Sequence, residues 1–397
     1  MILTKKQEEG LKIAVDRYKR KEKYTCIAGY AGTGKSTLVR FIVEALGVSD
    51  DDICYATFTG KAAQVLLKKG NKNVSTLHKL LYNSFPKPDG TFYRKPVPDV
   101  PYKIVIVDEV SMAPRELMEL LFKYKCHVIC LGDPFQLPPI DKNQDNGLLA
   151  SPHVFLDEVM RQAAESEIIR LTMDIRAGKK IEFHEGKEVM VLPRQELTTG
   201  MLTWADQILV GTNATRRQLN NEMRNLLGRS GAPQDGDKVI CLRNYWESIA
   251  DNEDPLVNGT IGYLKNSFED FVQLPRYMGG QQIEVLRADF VSDSDALFYD
   301  VPMDMKMILT GERCVDWKTA YKMSKNPKTS GLLPKEFTYG YAITCHKAQG
   351  SEWDNVLVVE EKFPFDIREH ARWLYTACTR ASEKLVLLKW EDFTFDR

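Results

Sequence analysis

The eight residues Gly29 to Ser36, GYAGTGKS, set three glycines, a lysine and a hydroxyl at a spacing that suits phosphate chemistry. Glycines let backbone N–H groups turn inward around phosphate oxygens, and a helix that follows adds the positive end of its dipole. In such a loop Lys35 reaches the β- and γ-phosphates of ATP and the Ser36 hydroxyl ligates Mg²⁺, while Gly29, Gly32, Thr33, Gly34 and Thr37 complete the cradle. Downstream, the apolar run IVIV ends in Asp108 and Glu109. Asp108 would contact the metal, and Glu109 would orient and deprotonate a water aimed at the γ-phosphate. Adjacent acids at a strand end are ordinarily solvated caps, but with a phosphate loop upstream they read as catalytic. A water-activating glutamate favours hydrolysis over transfer to an acceptor. In LGDPFQLPP, Gln136 is a neutral donor and acceptor, suited to sensing a γ-phosphate without burying a charge. A second polar set, TCHKAQGSEW (344–353), gathers a hydroxyl, an imidazole, an amine, an amide and a carboxylate around Gly350. No core strand or surface helix calls for that set.

The elements that position these residues are legible from pattern. Short β-branched runs at 24–30, 53–58, 102–109 and 127–133 alternate with helical segments at 36–46 and 114–124. Such alternation predicts an α/β fold with parallel sheets, whose ligands bind at the carboxyl ends of the strands. The pattern returns at 207–227 and 354–361. Two stretches break it. Residues 83–101 hold five prolines and an Asp89-Gly90 turn, which predicts a projecting hairpin. Residues 265–333 read as antiparallel strands followed by a basic helix and loop. The expected division is 1–82 with 102–165, a hairpin at 83–101, 166–264 with 334–397, and a β-rich insertion at 265–333.

Bulk properties narrow the function classes. The formal net charge of −1 excludes a general attraction to polyanions, so nucleic acid would have to meet a local basic groove. Eight scattered cysteines without a Cys-x-x-Cys pair suit free thiols in a reducing compartment. Cys126 and Cys130 lie in a run that reads as a buried strand, which disfavours a zinc site at that pair. No secretory or membrane-spanning run is present, so the expectation is a soluble protein of the cytoplasm, bacterial or phage-infected.

In this order, Gln7 in LTKKQ, the phosphate loop, TFTGKAA (57–63), STLHKLL (75–81), VDEVSM, GDPFQLPP, EVMRQA (158–163), YAITCHKAQGSEW (341–353) and YTACTRA (375–381) resemble the superfamily 1 DNA helicases. The likeness is to their RecD/Dda-like branch and spans residues 3 to 381. It implies two RecA-like P-loop NTPase domains, with a small hairpin inserted in the first and a small barrel-like, β-rich segment in the second. ATP would lie between the domains and single-stranded DNA would cross both. By resemblance Gln7 reads the adenine edge, and Arg161 and Arg380 approach the γ-phosphate. An arginine placed there contributes roughly 10³–10⁵ in rate. Thr344, His346 and Lys347 would face DNA phosphates, and Gln349, Gly350 and Glu352 the nucleotide, so one loop would join ATP state to grip on DNA.

Thr59, Lys61 and His78 match the family's DNA-facing motifs in the first domain, and Asn213 and Thr215 could donate to phosphates in the second. Such contacts hold position rather than read sequence. The hairpin stands where this branch carries its strand-separating pin, with Phe92 and Tyr93 beyond the turn. Opening one base-pair step costs about 1.4 kcal/mol of stacking, and an aromatic platform returns roughly 1–3 kcal/mol per base. The sequence equally allows both rings to pack against the insertion. The expected activity is an ATP- and Mg²⁺-dependent helicase moving 5′ to 3′ on single-stranded DNA and opening forks as a monomer. Single-strand-binding, replication or recombination proteins are the expected protein partners. Two readings compete: a DNA-stimulated ATPase that remodels protein–DNA complexes without unwinding, and a single-strand-binding module with a decayed ATP site. The presence of Lys35, Asp108, Glu109 and Arg380 together argues against the second.

Overall fold

A computed structural model describes residues 3–86, 92–138, 144–251, 255–276, 280–324, 329 and 332–390. The chain divides into two compact units. One comprises 1–81, 97–213 and 343–397, and the other 82–96 and 214–342.

The first unit holds two six-stranded sheets. In one, the spatial order is Val74–Thr76, Ile53–Thr57, Ile104–Val107, His127–Gly132, Tyr24–Gly29 and Val154–Leu156, with every neighbour parallel. These strands are nearly continuous apolar runs because both faces are covered, as parallel sheets require. The helix Lys35–Leu46 covers one face through Leu38, Val39 and Ile42, which join Ile27, Ile104, Ile106 and Ile129 in a single core. The helix stops at Gly47, whose φ of 61° only glycine adopts freely. The other sheet orders Ala342–Thr344, Gln207–Val210, Trp353–Val359, Ala381–Lys389, Val189–Pro193 and His184–Glu185. Its central pairings are parallel, and the edge strand at His184 is antiparallel.

The second unit is built on a five-stranded sheet in the order Leu297–Asp304, Gln282–Ser292, Ile261–Gln273, Lys238–Cys241 and Phe337–Tyr339, with antiparallel neighbours. The expected boundary at residue 265 falls inside its longest strand, and the sheet recruits strands on both sides of 265–333. Strand partners are chosen across the fold, so local pattern does not mark where such a sheet begins. The strands Tyr82–Pro86 and Phe92–Pro96 pair antiparallel, and the expected Asp89-Gly90 turn lies outside the described residues. The side chains of Phe92 and Tyr93 lie outside the described residues. The eight cysteines are free, seven of them buried. Among the described residues, no helix is long and apolar enough to cross a membrane and no cluster of His, Cys, Asp or Glu has the makings of a metal site on its own.

Candidate nucleotide site and nucleic-acid track

The phosphate loop joins the strand ending at Gly29 to the helix beginning at Lys35. Gly34 caps that helix with φ 76°, and a β-carbon there would stand 2.5 Å from both Gln7 Nε2 and Met160 Sδ. Left-handed backbone and close approach both demand glycine at this point. Lys35 Nζ donates to the Gly29 carbonyl at 2.7 Å and the Tyr30 carbonyl at 3.0 Å. Burial lowers its pKa, against the opposing pull of Asp133, Asp108 and Glu109. The buried Thr33 hydroxyl is spent on the Tyr30 carbonyl at 2.8 Å, whereas Ser36 is exposed and Thr37 half-buried. Gln7 is buried, with its amide donating to the Thr33 carbonyl at 3.2 Å and its Oε1 accepting from Thr4 N–H at 3.0 Å. It braces the loop from the first helix, and a role at the adenine edge would require these bonds to be exchanged.

Glu109 has φ 50°, a left-handed conformation that costs a non-glycine residue energy and is found where surroundings enforce it. The twist lets its N–H donate to Asp108 Oδ1 at 2.9 Å. Its Oε1 accepts from Arg380 Nη1 at 3.4 Å, while Oε2 is buried without a partner among the described residues. Burial pushes the Glu109 carboxyl above its ordinary range, and the Arg380 guanidinium opposes that shift. Arg380 is itself fixed by the carbonyls of Thr376 and Ser351, each at 3.2 Å. A buried carboxylate oxygen without a protein partner is free to accept from a water. Asp108 and Ser36 offer the hard oxygen donors that Mg²⁺ takes.

The Gly132–Pro138 loop carries interactions the sequence did not announce. Tyr375 OH donates to Asp133 Oδ2 at 2.5 Å and accepts from the phosphate-loop Ala31 N–H at 2.8 Å. Thr376 Oγ1 accepts from Leu137 N–H at 2.9 Å, and Arg372 donates to the Pro134 carbonyl at 2.6 Å. These three residues lie on one helix, Ile367–Cys378, two of them in the YTACTRA motif. Gln136 sits half-buried in this loop. Tyr375 and Asp133 are the functional candidates sequence reading missed. Their signal was their place inside quoted motifs, but nothing local shows that the two meet.

The segment 344–353 divides its work. Gln349, expected at the nucleotide, instead donates to the Leu137 carbonyl at 2.7 Å. Gly350 has φ 77°, and a β-carbon there would lie 2.8 Å from Thr59 Oγ1 and 3.1 Å from Glu109 Oε2. Glu352 is exposed and pairs with Lys69 at 3.5 Å, at a recess of about 120 Å³ that Asp108, Glu109 and Arg380 also line. Of the expected DNA contacts, Thr59 caps the helix Gly60–Lys68 by accepting from Ala62 N–H. Lys61, His78, Thr344, His346 and Lys347 are half-buried in the same unit, and Asn213 is exposed. Burial lowers the His346 pKa, so the imidazole is neutral near pH 7. Thr215 is about nine-tenths buried in the other unit, in the first turn of the helix Asn213–Leu226. Arg161 opens the helix Arg161–Glu165, and its side chain lies outside the described residues.

Residues 3–190 match the AAA domain family and residues 339–388 the UvrD-like helicase C-terminal domain. The chain is 33% identical over 191 residues to the ATP-dependent DNA helicase dda of Enterobacteria phage T4, covering 45% of this chain and 43% of that protein. It is 27% identical over 392 residues to the ATP-dependent RecD2 DNA helicase of Deinococcus radiodurans, covering 90% of this chain and 46% of that one. The matched region thus spans less than half the length of each of these two relatives. A Bacteroides Pif1 helicase solved with ADP-AlF3 and single-stranded DNA shares the fold at TM-score 0.50 and 17% identity, over 98% of this chain and 93% of that one. The phosphate loop, the Asp108–Glu109 pair, the GDPFQLPP loop and Arg380 stand in one compact unit, and the chain is similar to the RecD/Dda-like ATP-dependent DNA helicases.

Proposed function

We propose that the chain hydrolyses ATP to drive movement along single-stranded DNA, 5′ to 3′, and separates duplex strands. The observation that carries this reading is the meeting of Arg380 with Glu109 beside Lys35, because it ties the water-activating group to the other sheet. Lys35 would leave the loop carbonyls for the β- and γ-phosphates. Ser36 and Asp108 would hold Mg²⁺, which neutralises phosphate charge when bound. Glu109 Oε2 would take a proton from the attacking water, and Arg380 would turn from Glu109 toward the charge that develops on the γ-phosphoryl oxygens. Gln136 would sense the γ-phosphate from a loop gripped by Arg372, Thr376 and Gln349. Gly350 sits against both Glu109 and Thr59, so a change in the nucleotide is felt at a residue of the expected DNA track.

The test is single-turnover strand separation on duplexes that differ only in carrying a 5′ or a 3′ single-stranded tail. Unwinding confined to the 5′-tailed duplex and lost in Lys35→Ala is the expected result. DNA-stimulated hydrolysis without opening of either duplex would replace the helicase reading with a remodelling motor.

A further inference from the structure

In the second unit, the helix Asn213–Leu226 buries two arginines with opposite fates. Arg224 meets the fully buried Asp237 at 3.2 Å, an ordinary compensated pair. Arg216, two turns earlier and only 8% exposed, has no carboxylate partner among the described residues. Its Nη1 makes one long bond to Thr338 Oγ1 at 3.3 Å, and its Nε is buried without a partner. The charged neighbour that acts on it is Arg217, which adds repulsion to the cost of burial. A guanidinium in this state is costly unless an anion reaches it.

A recess of about 40 Å³ opens beside it, lined by Arg216, Arg217, Asn220, Thr338 and Tyr339 among others. The Tyr339 hydroxyl is a second buried polar group there without a partner. Tyr339 is held in place by Arg224, which stacks 4.6 Å above its ring. Asn220 is held by both polar groups of Ala342, at 2.9 and 3.0 Å. The Asn220 amide is spent on the Arg216 and Ala342 carbonyls, so the site offers the Arg216 guanidinium, the Tyr339 hydroxyl and a rim arginine with no acid among the described residues, which selects an anion over a cation. Its size admits an anionic head group and excludes a nucleoside.

We propose that Arg216, Arg217 and Tyr339 form a recess for one backbone phosphate of single-stranded DNA. The assignment rests on the function proposed above. The same helix begins at the exposed Asn213 of the expected DNA track, which favours a strand phosphate over free orthophosphate.

The experiment is equilibrium binding of a fluorescent oligo-dT to the full chain across a salt series, followed by anisotropy. Each phosphate contact on a single strand contributes a slope of about −0.7 in log K against log salt. Arg216→Gln should flatten the slope by about 0.7, and Arg216→Lys should keep it. The unfolding temperature of Arg216→Gln should not fall, because the residue has no internal counter-charge to lose. An unchanged slope in Arg216→Gln overturns the proposal. So does a protective effect of orthophosphate on thermal unfolding that Arg216→Gln abolishes while the DNA slope stays put, which assigns the recess to the free anion. If Arg216→Gln does not fold, Arg217→Ala on the exposed rim must show the flattened slope instead. Failure of the wild-type chain to bind oligo-dT at any salt is a distinct outcome, which removes the functional reading and the proposal together.

Discussion

At the scale of single residues the chemistry turns on Glu109 and Arg380. Glu109→Gln keeps shape and hydrogen bonding but cannot accept a proton, so kcat for ATP should fall by roughly 10²–10⁴ with nucleotide binding retained. An isothermal binding titration alongside a phosphate-release assay separates the two, and loss of binding would show Glu109 to be structural. Because burial raises the Glu109 pKa, its basic form is lost at a higher pH than for an ordinary carboxylate. The acid limb of the kcat–pH profile should therefore lie above 4.5, the ordinary value, and a limb at or below it would contradict the assignment. Arg380→Ala should cost roughly 10³–10⁵ in kcat. Arg380→Lys should not restore it, since an ammonium cannot hold the Thr376 and Ser351 carbonyls while reaching for phosphate.

At the scale of elements, the helix Ile367–Cys378 acts as a clasp on the Gly132–Pro138 loop, with Tyr375 at its centre. Burial and the neighbouring Asp133 raise the Tyr375 pKa, so the phenol keeps its proton and donates it to Asp133. Tyr375→Phe leaves both Ala31 N–H and Asp133 without that partner, a loss of about 1–3 kcal/mol. A double-mutant cycle with Asp133→Asn, read by urea midpoint and by kcat, should show strong coupling, and additive effects would break the link. In the strand His127–Gly132, His127 is buried against Thr25 and the Glu22 carbonyl, and desolvation lowers its pKa. The unfolded chain therefore takes up the proton first, near pH 6.5, and stability falls as pH drops from there through the lower folded value. Urea midpoints between pH 7.5 and 5 would check this, and His127→Gln should flatten the decline in that range.

At the scale of the whole molecule, ATP binding should stabilise the unit that holds the phosphate loop. By mass action a ligand at a hundred times its Kd adds about 2.7 kcal/mol. A non-hydrolysable ATP analogue with Mg²⁺ should raise the unfolding temperature of the wild type and not that of Lys35→Ala. An equal rise in both would place the nucleotide elsewhere. The sequence by itself determined the phosphate loop, the Asp108–Glu109 pair and the parallel α/β architecture, because these depend on spacing along a few consecutive residues and on strand and helix periodicity. Tertiary structure alone decided that Tyr375 ties Asp133 to Ala31, that Gln349 serves the Leu137 carbonyl, and that the insertion's sheet takes strands from 238–241 and 337–339. It also decided that Arg224 finds a carboxylate and that Arg216 finds none among the described residues. Each of these joins residues far apart in the chain, and whether a buried polar group finds its partner is set by packing, which no local pattern encodes.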